Sequence, residues 1–147
     1  MANNIIDEFR GKYFFLSNFY VCRMRIGKYS YSTVEHYFQS QKAIHSYDEK
    51  YIIDSDSPKE AKRRGRQVLI KENWEIIKKE VMLKALYAKF KIPKMKIKLL
   101  NTKDAYLIEG NVWHDNYWGD CRCYRCQKIT GKNILGILLM EVRSKIE

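Results

Sequence analysis

The run Asn133-Ile134-Leu135-Gly136-Ile137-Leu138-Leu139-Met140 is apolar on nearly every side. Whatever this chain folds into must therefore close around it as a helix central to the core. A length of 147 residues supplies one core of ordinary size and not two independent ones, so the expectation is a single domain over residues 1–147. Hydrophobic residues make up 46% and charged ones 31% of the chain, a balance that excludes a disordered tail or a collagen-like repeat.

Helix signals precede that run. Ser32-Thr33-Val34-Glu35 has the spacing of a capping box, and Val34, Tyr37, Phe38, Gln41 and Ile44 follow at helical period. Ser57-Pro58-Lys59-Glu60 repeats the signature with proline at the first helical position, opening a second helix that runs to about residue 70. Trp74, Ile77, Val81, Met82, Ala85 and Leu86 mark one face of a third helix, ended by Pro93, and Met95–Leu100 reads as a short fourth. Tyr13–Leu16 and Val21–Ile26 read as short strands, with Gly27 turning the chain before Tyr29–Tyr31, and Leu107–Glu109 is a candidate strand. Together these predict an α+β fold, dominated by helices, with a small antiparallel sheet.

The formal net charge of +11 is unevenly placed. Residues 59–103 hold 15 Lys and Arg against 4 Glu, while the remainder balances at 13 basic and 13 acidic residues. One reading is a solvated helical face, supported by Glu75 with Lys79 and Glu80 with Lys84 at i,i+4. The other is an electrostatic footprint for an anionic partner, densest at Lys62-Arg63-Arg64-Gly65-Arg66. No run approaches about 18 uncharged apolar residues, and the first residues lack a signal-peptide layout. The expectation is a cytoplasmic chain, not inserted in a membrane, whose cysteines are thiols or metal ligands.

Two clusters carry candidate chemistry. Gly110–Asp120 holds Trp113, Trp118, Tyr117, Asp115 and Asp120 in a turn-rich stretch, suited to stacking on a heterocycle beside a carboxylate. It equally suits a tight loop pinned by buried Trp, with Asp115 and Asn116 bonding locally. Glu35, Gln39 and Lys42 share one helix face; Glu35 either activates water or simply caps the first turn, and His36 is otherwise a satisfied core histidine. Next to the first cluster, Cys121, Cys123 and Cys126 are candidate structural zinc ligands, with His114 or Cys22 as the fourth. The alternative is reduced thiols packed in a loop.

Several separated motifs, in order from about residue 9 to 143, resemble the NADAR (YbiA-like) family. They are Phe9-Arg10-Gly11, Leu16-Ser17-Asn18-Phe19, Glu35-His36-Tyr37-Phe38-Gln39-x-x-Lys42, Ala61-Lys62-x-x-Gly65-Arg66, Trp74, Met82-x-x-Ala85-Leu86-x-Ala88-Lys89-Phe90, Trp118-Gly119 and Gly131-x-Asn133-x-Leu135-Gly136-x-Leu138-Leu139-Met140. The resemblance implies a compact α+β domain with N-glycosidase activity. Its substrates would be either ADP-ribose on guanine bases of nucleic acid or phosphoribosylated intermediates of riboflavin synthesis. An ADP-ribosyltransferase toxin is an implied partner system for the first. Carried over by motif, the functional positions are Glu35, Trp74 and Asp115, with Asp120 the alternative to Asp115. Arg10, Asn18, His36, Lys42, Trp118, Gly119 and Asn133 match motif positions expected to line the pocket.

Cleaving a ribosyl C–N bond builds oxocarbenium-like charge and needs a carboxylate, a positioned water and a proton for the leaving nitrogen. These expectations assign Glu35 to water activation or to stabilising the cation, Asp115 to orienting the ribose or acting as acid, and Trp74 and Trp118 to stacking on the base or adenine. Lys42 is a candidate Schiff-base nucleophile, and Lys62 and Arg66 are candidates for phosphate contacts. Rival readings are a non-catalytic basic module binding nucleic acid, and a partner-binding protein that keeps the fold without turnover.

Overall fold

The computed structural model describes residues 4–147. In chain order its elements are β1 (Ile5–Ile6), a 3-10 helix (Gly11–Leu16), β2 (Met24–Ile26), β3 (Tyr29–Tyr31), α1 (Val34–Ser40), α2 (Ser46–Ile53), α3 (Pro58–Gly65), α4 (Trp74–Phe90), α5 (Pro93–Leu100), β4 (Tyr106–Leu107), β5 (Gly110–Asn111), β6 (Asp120–Cys121), a second 3-10 turn (Tyr124–Cys126) and α6 (Ile134–Lys145). This is a helix-dominated α+β fold. Among the described residues the strands form three two-stranded pairs: β2–β3 is antiparallel, while β1 pairs with β4, and β5 with β6, in parallel, in place of the one small antiparallel sheet expected. The chain divides into two compact units, one of residues 18–89 and one joining the stretch up to residue 17 to residues 90–147. Among the described residues no helix is long and apolar enough to cross a membrane.

In the 18–89 unit, β2 and β3 pair in the register Met24↔Tyr31, Arg25↔Ser30 and Ile26↔Tyr29, turning at Gly27 with φ +63°. The following helix starts one residue later than the capping-box spacing suggests. Thr33, not Ser32, is the N-cap, and its Oγ1 accepts from the His36 N–H at 3.1 Å. All seven residues of α1 are buried, and the helix stops at Ser40 because the chain beyond it is drawn into an extended bridge. There Ala43 pairs with Ile70, and the Ile44 and Lys71 N–H groups bond the carbonyls of Leu69 and Lys42. That bridge also explains why α3 ends at Gly65 instead of near residue 70. At its start α3 follows expectation, with Ser57 Oγ accepting from the Glu60 N–H and Pro58 in the first turn. The polar segment of α2 gave no apolar period to find it by, and only Ile52 is buried in it.

In the other unit, Tyr13–Leu16 is not a strand. Tyr13 N–H bonds Arg10 carbonyl and Ser17 N–H bonds Phe14 carbonyl, and adjacent Phe15 and Leu16 are both buried, which strand alternation forbids. Pro93 begins α5 and does not itself end α4, which closes at Phe90. The apolar C-terminal run forms α6 with Leu135, Gly136, Leu138, Leu139 and Val142 buried, although Ile137 is 43% exposed. They pack in the same unit as Ile6, Phe9, Leu16, Leu99 and Leu107. Asn133 begins the helix at φ +52°, in the left-handed region. Its Nδ2 donates to Leu107 carbonyl at 2.8 Å and its Oδ1 accepts from the Glu109 N–H at 2.9 Å, tying β4 to α6.

Among the lysines of α4, Glu75 pairs with Lys78 at 2.7 Å, three residues on. Lys89, expected on a solvated face, is wholly buried, with Nζ 5.5 Å from the Tyr20 ring centre. Burial holds its ammonium down to about 7, against a weaker opposing pull from Cys22. Unfolded, the same lysine titrates near ~10.4. Between those two pH values the unfolded chain binds a proton that the folded chain does not, so stability rises with pH across that window and is flat below it. Lys89→Met is expected to flatten this rise, read as the difference between variant and parent unfolding free energies in denaturant titrations from about pH 6 to about pH 10. Asn133→Ala should lose about 3 kcal/mol, from two hydrogen bonds and an untethered left-handed residue. Asn133→Gly should recover about 1 kcal/mol of that by relieving the backbone alone.

Candidate functional site

Seven of the expected site residues, Asn18, Glu35, His36, Lys42, Lys62, Arg66 and Trp74, belong to the 18–89 unit. Glu35 occupies the first turn of α1 and is 6% exposed. Its backbone N–H bonds the Asn18 carbonyl at 3.1 Å, and its Oε1 accepts from Gln39 Nε2 at 2.8 Å, one helical turn on. Gln39 reaches that position because α3 presents a glycine to it. A Cβ on Gly65 would lie 2.1 Å from Gln39 Oε1. Lys42 follows α1, and its Nζ lies 6.0 Å from the Phe38 ring centre. Burial lowers the Lys42 ammonium below the usual lysine range; Glu35 opposes that most, Arg66 and Lys62 add to it, and Glu75 opposes it again. The result is a buried carboxylate, its amide partner and a lysine with eased deprotonation, within the field of two basic side chains from α3 and the residue after it.

His36 and Trp74 serve the interior of the same unit. His36 is 1% exposed; Thr33 Oγ1 donates to its Nδ1 at 2.8 Å and its Nε2 donates to Ser55 carbonyl at 3.0 Å. This network places the proton on Nε2. Burial lowers its pKa, opposed by the Ser55 carbonyl, while Arg23 adds to the lowering. Trp74 is buried with its ring centre 5.0 Å from that of Phe38, tilted by 58°. Asn18 Oδ1 is buried without a hydrogen-bond partner among the described residues.

The remaining expected residues belong to the other unit. Arg10 is exposed at the entrance to the first 3-10 helix. Asp115 Oδ1 accepts from the N–H groups of Tyr117 at 3.1 Å and Trp118 at 2.9 Å, an Asx turn that sets the loop. Asp120 makes a different bond, its Oδ1 accepting from the Gly131 N–H at 2.8 Å. Trp118 is half-buried and meets Tyr117 edge to face at 4.8 Å. Gly119 must lack a side chain, because a Cβ there would lie 2.1 Å from the Glu109 carbonyl oxygen. Asn133 is committed to the tie described above. Sequence reading missed Asn111, 3% exposed, whose Oδ1 accepts from the Trp113 and Asp115 N–H groups and whose Nδ2 donates to the Asp115 carbonyl.

His114, Cys121, Cys123 and Cys126 come together in this loop, their ligand atoms all within 4.8 Å of one another. All four cysteines are free thiols. Cys22 belongs to the 18–89 unit, where its N–H bonds the Ser32 carbonyl. Burial would raise the Cys121 thiol, but hydrogen bonds from Cys123 and His114 bring it below its usual range. The group can hold a metal ion.

Comparison with known proteins identifies the family. Residues 7–147 match the NADAR domain. N-glycosidase YbiA of Escherichia coli strain K12 is 40% identical over 136 residues, covering 88% of this chain and 79% of that protein. N-glycosidase Npun_R5314 of Nostoc punctiforme is 34% identical over 136 residues, covering 88% of this chain and 83% of that one. The chloroplastic riboflavin biosynthesis protein PYRR of Zea mays is 34% identical over 131 residues, 80% of this chain but 20% of the plant protein. The NMR structure of Escherichia coli YbiA superposes with a TM-score of 0.84 at 36% identity, over 99% of this chain and 87% of that one. With its motifs, its fold and its whole length from residue 7 in agreement, the chain belongs to the NADAR domain family and is an enzyme of the N-glycosidase class.

Proposed function

We propose that this N-glycosidase acts in the cytoplasm on ADP-ribose attached to guanine bases, releasing the base and so reversing ADP-ribosylation of nucleic acid. The observation that carries the reading is the set of charges around Lys42. A buried carboxylate at Glu35 lies with Lys42 in the field of Lys62 and Arg66, which suits a glycoside whose sugar carries phosphate. Glu35 takes the proton of a water that adds to C1 of the ribose as the C–N bond breaks, and a general acid protonates the departing nitrogen. Lys62 and Arg66 hold the pyrophosphate. Asn18 Oδ1, an acceptor lacking a partner among the described residues, suits a ribose hydroxyl. Trp74 is turned onto Phe38, whose ring also lies 6.0 Å from Lys42 Nζ; Asp115 and Trp118 are candidates by motif match alone. A zinc ion at Cys121, Cys123 and Cys126 enters this reading as a brace for the loop bearing Asp115, and no step passes through it. An ADP-ribosyltransferase toxin is the partner that would supply such a substrate.

A second reading rests on the plant relatives, named for riboflavin biosynthesis. Under it the same residues cleave phosphoribosylamino-pyrimidine intermediates, with one phosphate in place of two. Incubation with an ADP-ribosylated guanine oligonucleotide and, separately, with those pyrimidines decides between the readings by chromatography of the released base and sugar. Faster release from the pyrimidines would overturn the first reading. On whichever substrate turns over, Glu35→Gln should lose at least about 10²-fold in rate with an unchanged melting transition. Substantial residual rate would remove Glu35 as the base. Borohydride added during turnover tests Lys42. A trapped adduct that disappears in Lys42→Ala assigns it a Schiff base, and none assigns it a purely electrostatic part.

A further inference from the structure

The 18–89 unit holds Glu35 and Lys42, whereas the group of metal-binding atoms found among the described residues lies in the loop after β5. We infer that His114, Cys121, Cys123 and Cys126 form a closed, four-coordinate zinc site that fixes the loop carrying Asp115 and Trp118.

Geometry comes first. In a tetrahedral zinc–thiolate site with Zn–S bonds near 2.3 Å, neighbouring sulfurs lie about 3.8 Å apart. The four ligand atoms here are already within 4.8 Å of one another, so side-chain adjustment of about 1 Å brings them to coordination distance. His114 turns Nδ1 toward the sulfurs, 3.1 Å from Cys123 Sγ and 3.6 Å from Cys126 Sγ. It does so from a left-handed backbone at φ +70°, a conformation that a non-glycine residue adopts only when its surroundings enforce it.

The sulfurs also have the outer partners of a thiolate site. The N–H groups of His114 and Cys123 point at Cys121 Sγ at 3.2 and 3.4 Å, and Asn116 Nδ2 points at Cys126 Sγ at 3.4 Å. A neutral thiol is a weak acceptor, whereas a metal-bound thiolate draws such donors, which orient it and spread its charge. Asn116 is held from both ends, since its Oδ1 accepts from the Cys121 N–H at 2.9 Å. Three thiolates and one imidazole select a soft or borderline ion over calcium or magnesium. With four protein ligands no position remains for water, which makes the ion structural. Zinc with three thiolates carries one net negative charge, and Arg125 lies against His114 Nε2. When Nδ1 binds the metal the imidazole proton resides on Nε2, so the exposed Arg125 side chain turns outward to solvent.

The consequence for the loop follows from adjacency. Asp115 and Asn116 succeed a ligand directly, and Asp115 in turn receives the Tyr117 and Trp118 N–H groups. That consequence rests on the reading of Asp115 and Trp118 as site residues; the metal itself does not.

The test needs no substrate. The full chain, purified without chelator and under reducing conditions, should contain one zinc per molecule by elemental analysis. Cobalt loaded in its place should give the intense visible absorption of a tetrahedral cobalt–thiolate centre. Cys126→Ser should abolish both signals, and Cys22→Ser should leave them intact. Asn116→Ala should weaken zinc retention against a competing chelator by about ten- to a hundredfold. Should Cys126→Ser fail to fold, the cobalt spectrum of the parent decides. A folded parent chain that neither contains zinc nor takes it up from a zinc buffer overturns the inference, as does equal loss of metal in Cys22→Ser. Because both readouts are of metal, their failure leaves the glycosidase reading untouched, and absence of turnover leaves the metal result untouched.

Discussion

A seven-residue helix buried on every side, yet carrying Glu35, His36, Gln39 and Ser40, is the constraint to which its unit answers. Polar groups taken from water must find partners, or each costs on the order of 1–3 kcal/mol. Thr33 and Ser55 take the two ring nitrogens of His36, Ser40 turns its hydroxyl back to the Tyr37 carbonyl, and Gln39 gives its amide to Glu35. Each of these ties fixes a neighbouring segment. Ser55 brings the end of α2 to α1, and the close approach of Gln39 demands a glycine on α3. The carboxylate is thus fixed in the act of satisfying the helix. The structure invests in keeping a charge-capable group where an apolar side chain would be simpler, which argues for chemistry at Glu35 in place of a mere cap.

The basic block has a division of labour. Glu60 on α3 pairs with Arg63 and Arg64, and Glu75 with Lys78, so part of the block neutralises itself. Exposed pairs of this kind stabilise little, but they remove those charges from competition for an anion. Lys62 and Arg66, on the same short segment as Arg63 and Arg64, instead act on Lys42. The charge excess read from composition thus divides into self-paired groups and a few that act on Lys42.

The legible features were those written locally. Ser57-Pro58 with Glu60 is a helix start whose parts lie in four consecutive residues, and the β2–β3 hairpin is announced by one glycine. The gathering of His114 with three cysteines was likewise among the alternatives, because all four fall in one loop. What escaped depends on partners distant in sequence. The aromatic run at Tyr13 to Leu16 has strand propensity, but its backbone closes three-residue turns to bury two adjacent side chains. The short span of α1 follows from a bridge to residues about 27 positions later, Ala43 with Ile70. Lys89 looked like its solvated neighbours, since nothing in a lysine's surroundings in sequence reports that its nitrogen is enclosed. For the site, the Glu35–Gln39 pair was readable from helical spacing, but Lys42 lies beyond the end of α1 and not on its face, and the inward commitments of His36 and Asn133 arise from Ser55, Leu107 and Glu109.

The loop that holds the cysteines is secured mainly by bonds among its own members, from Asn111 at its start to Cys126 near its end. It is fastened as well to the helix that follows: the carbonyls of Tyr117, Trp118 and Gly119 accept from the N–H groups of Ile134, Leu135 and Asn133, and the Asn116 carbonyl from that of Lys132. Those bonds satisfy donors that the first turn of α6 cannot pair within itself, so the loop serves as the cap of the helix. Tyr124, 84% exposed, is open to replacement, whereas Arg122 pairs with Asp7 at 3.2 Å, and a change in the length of the loop is carried into α6.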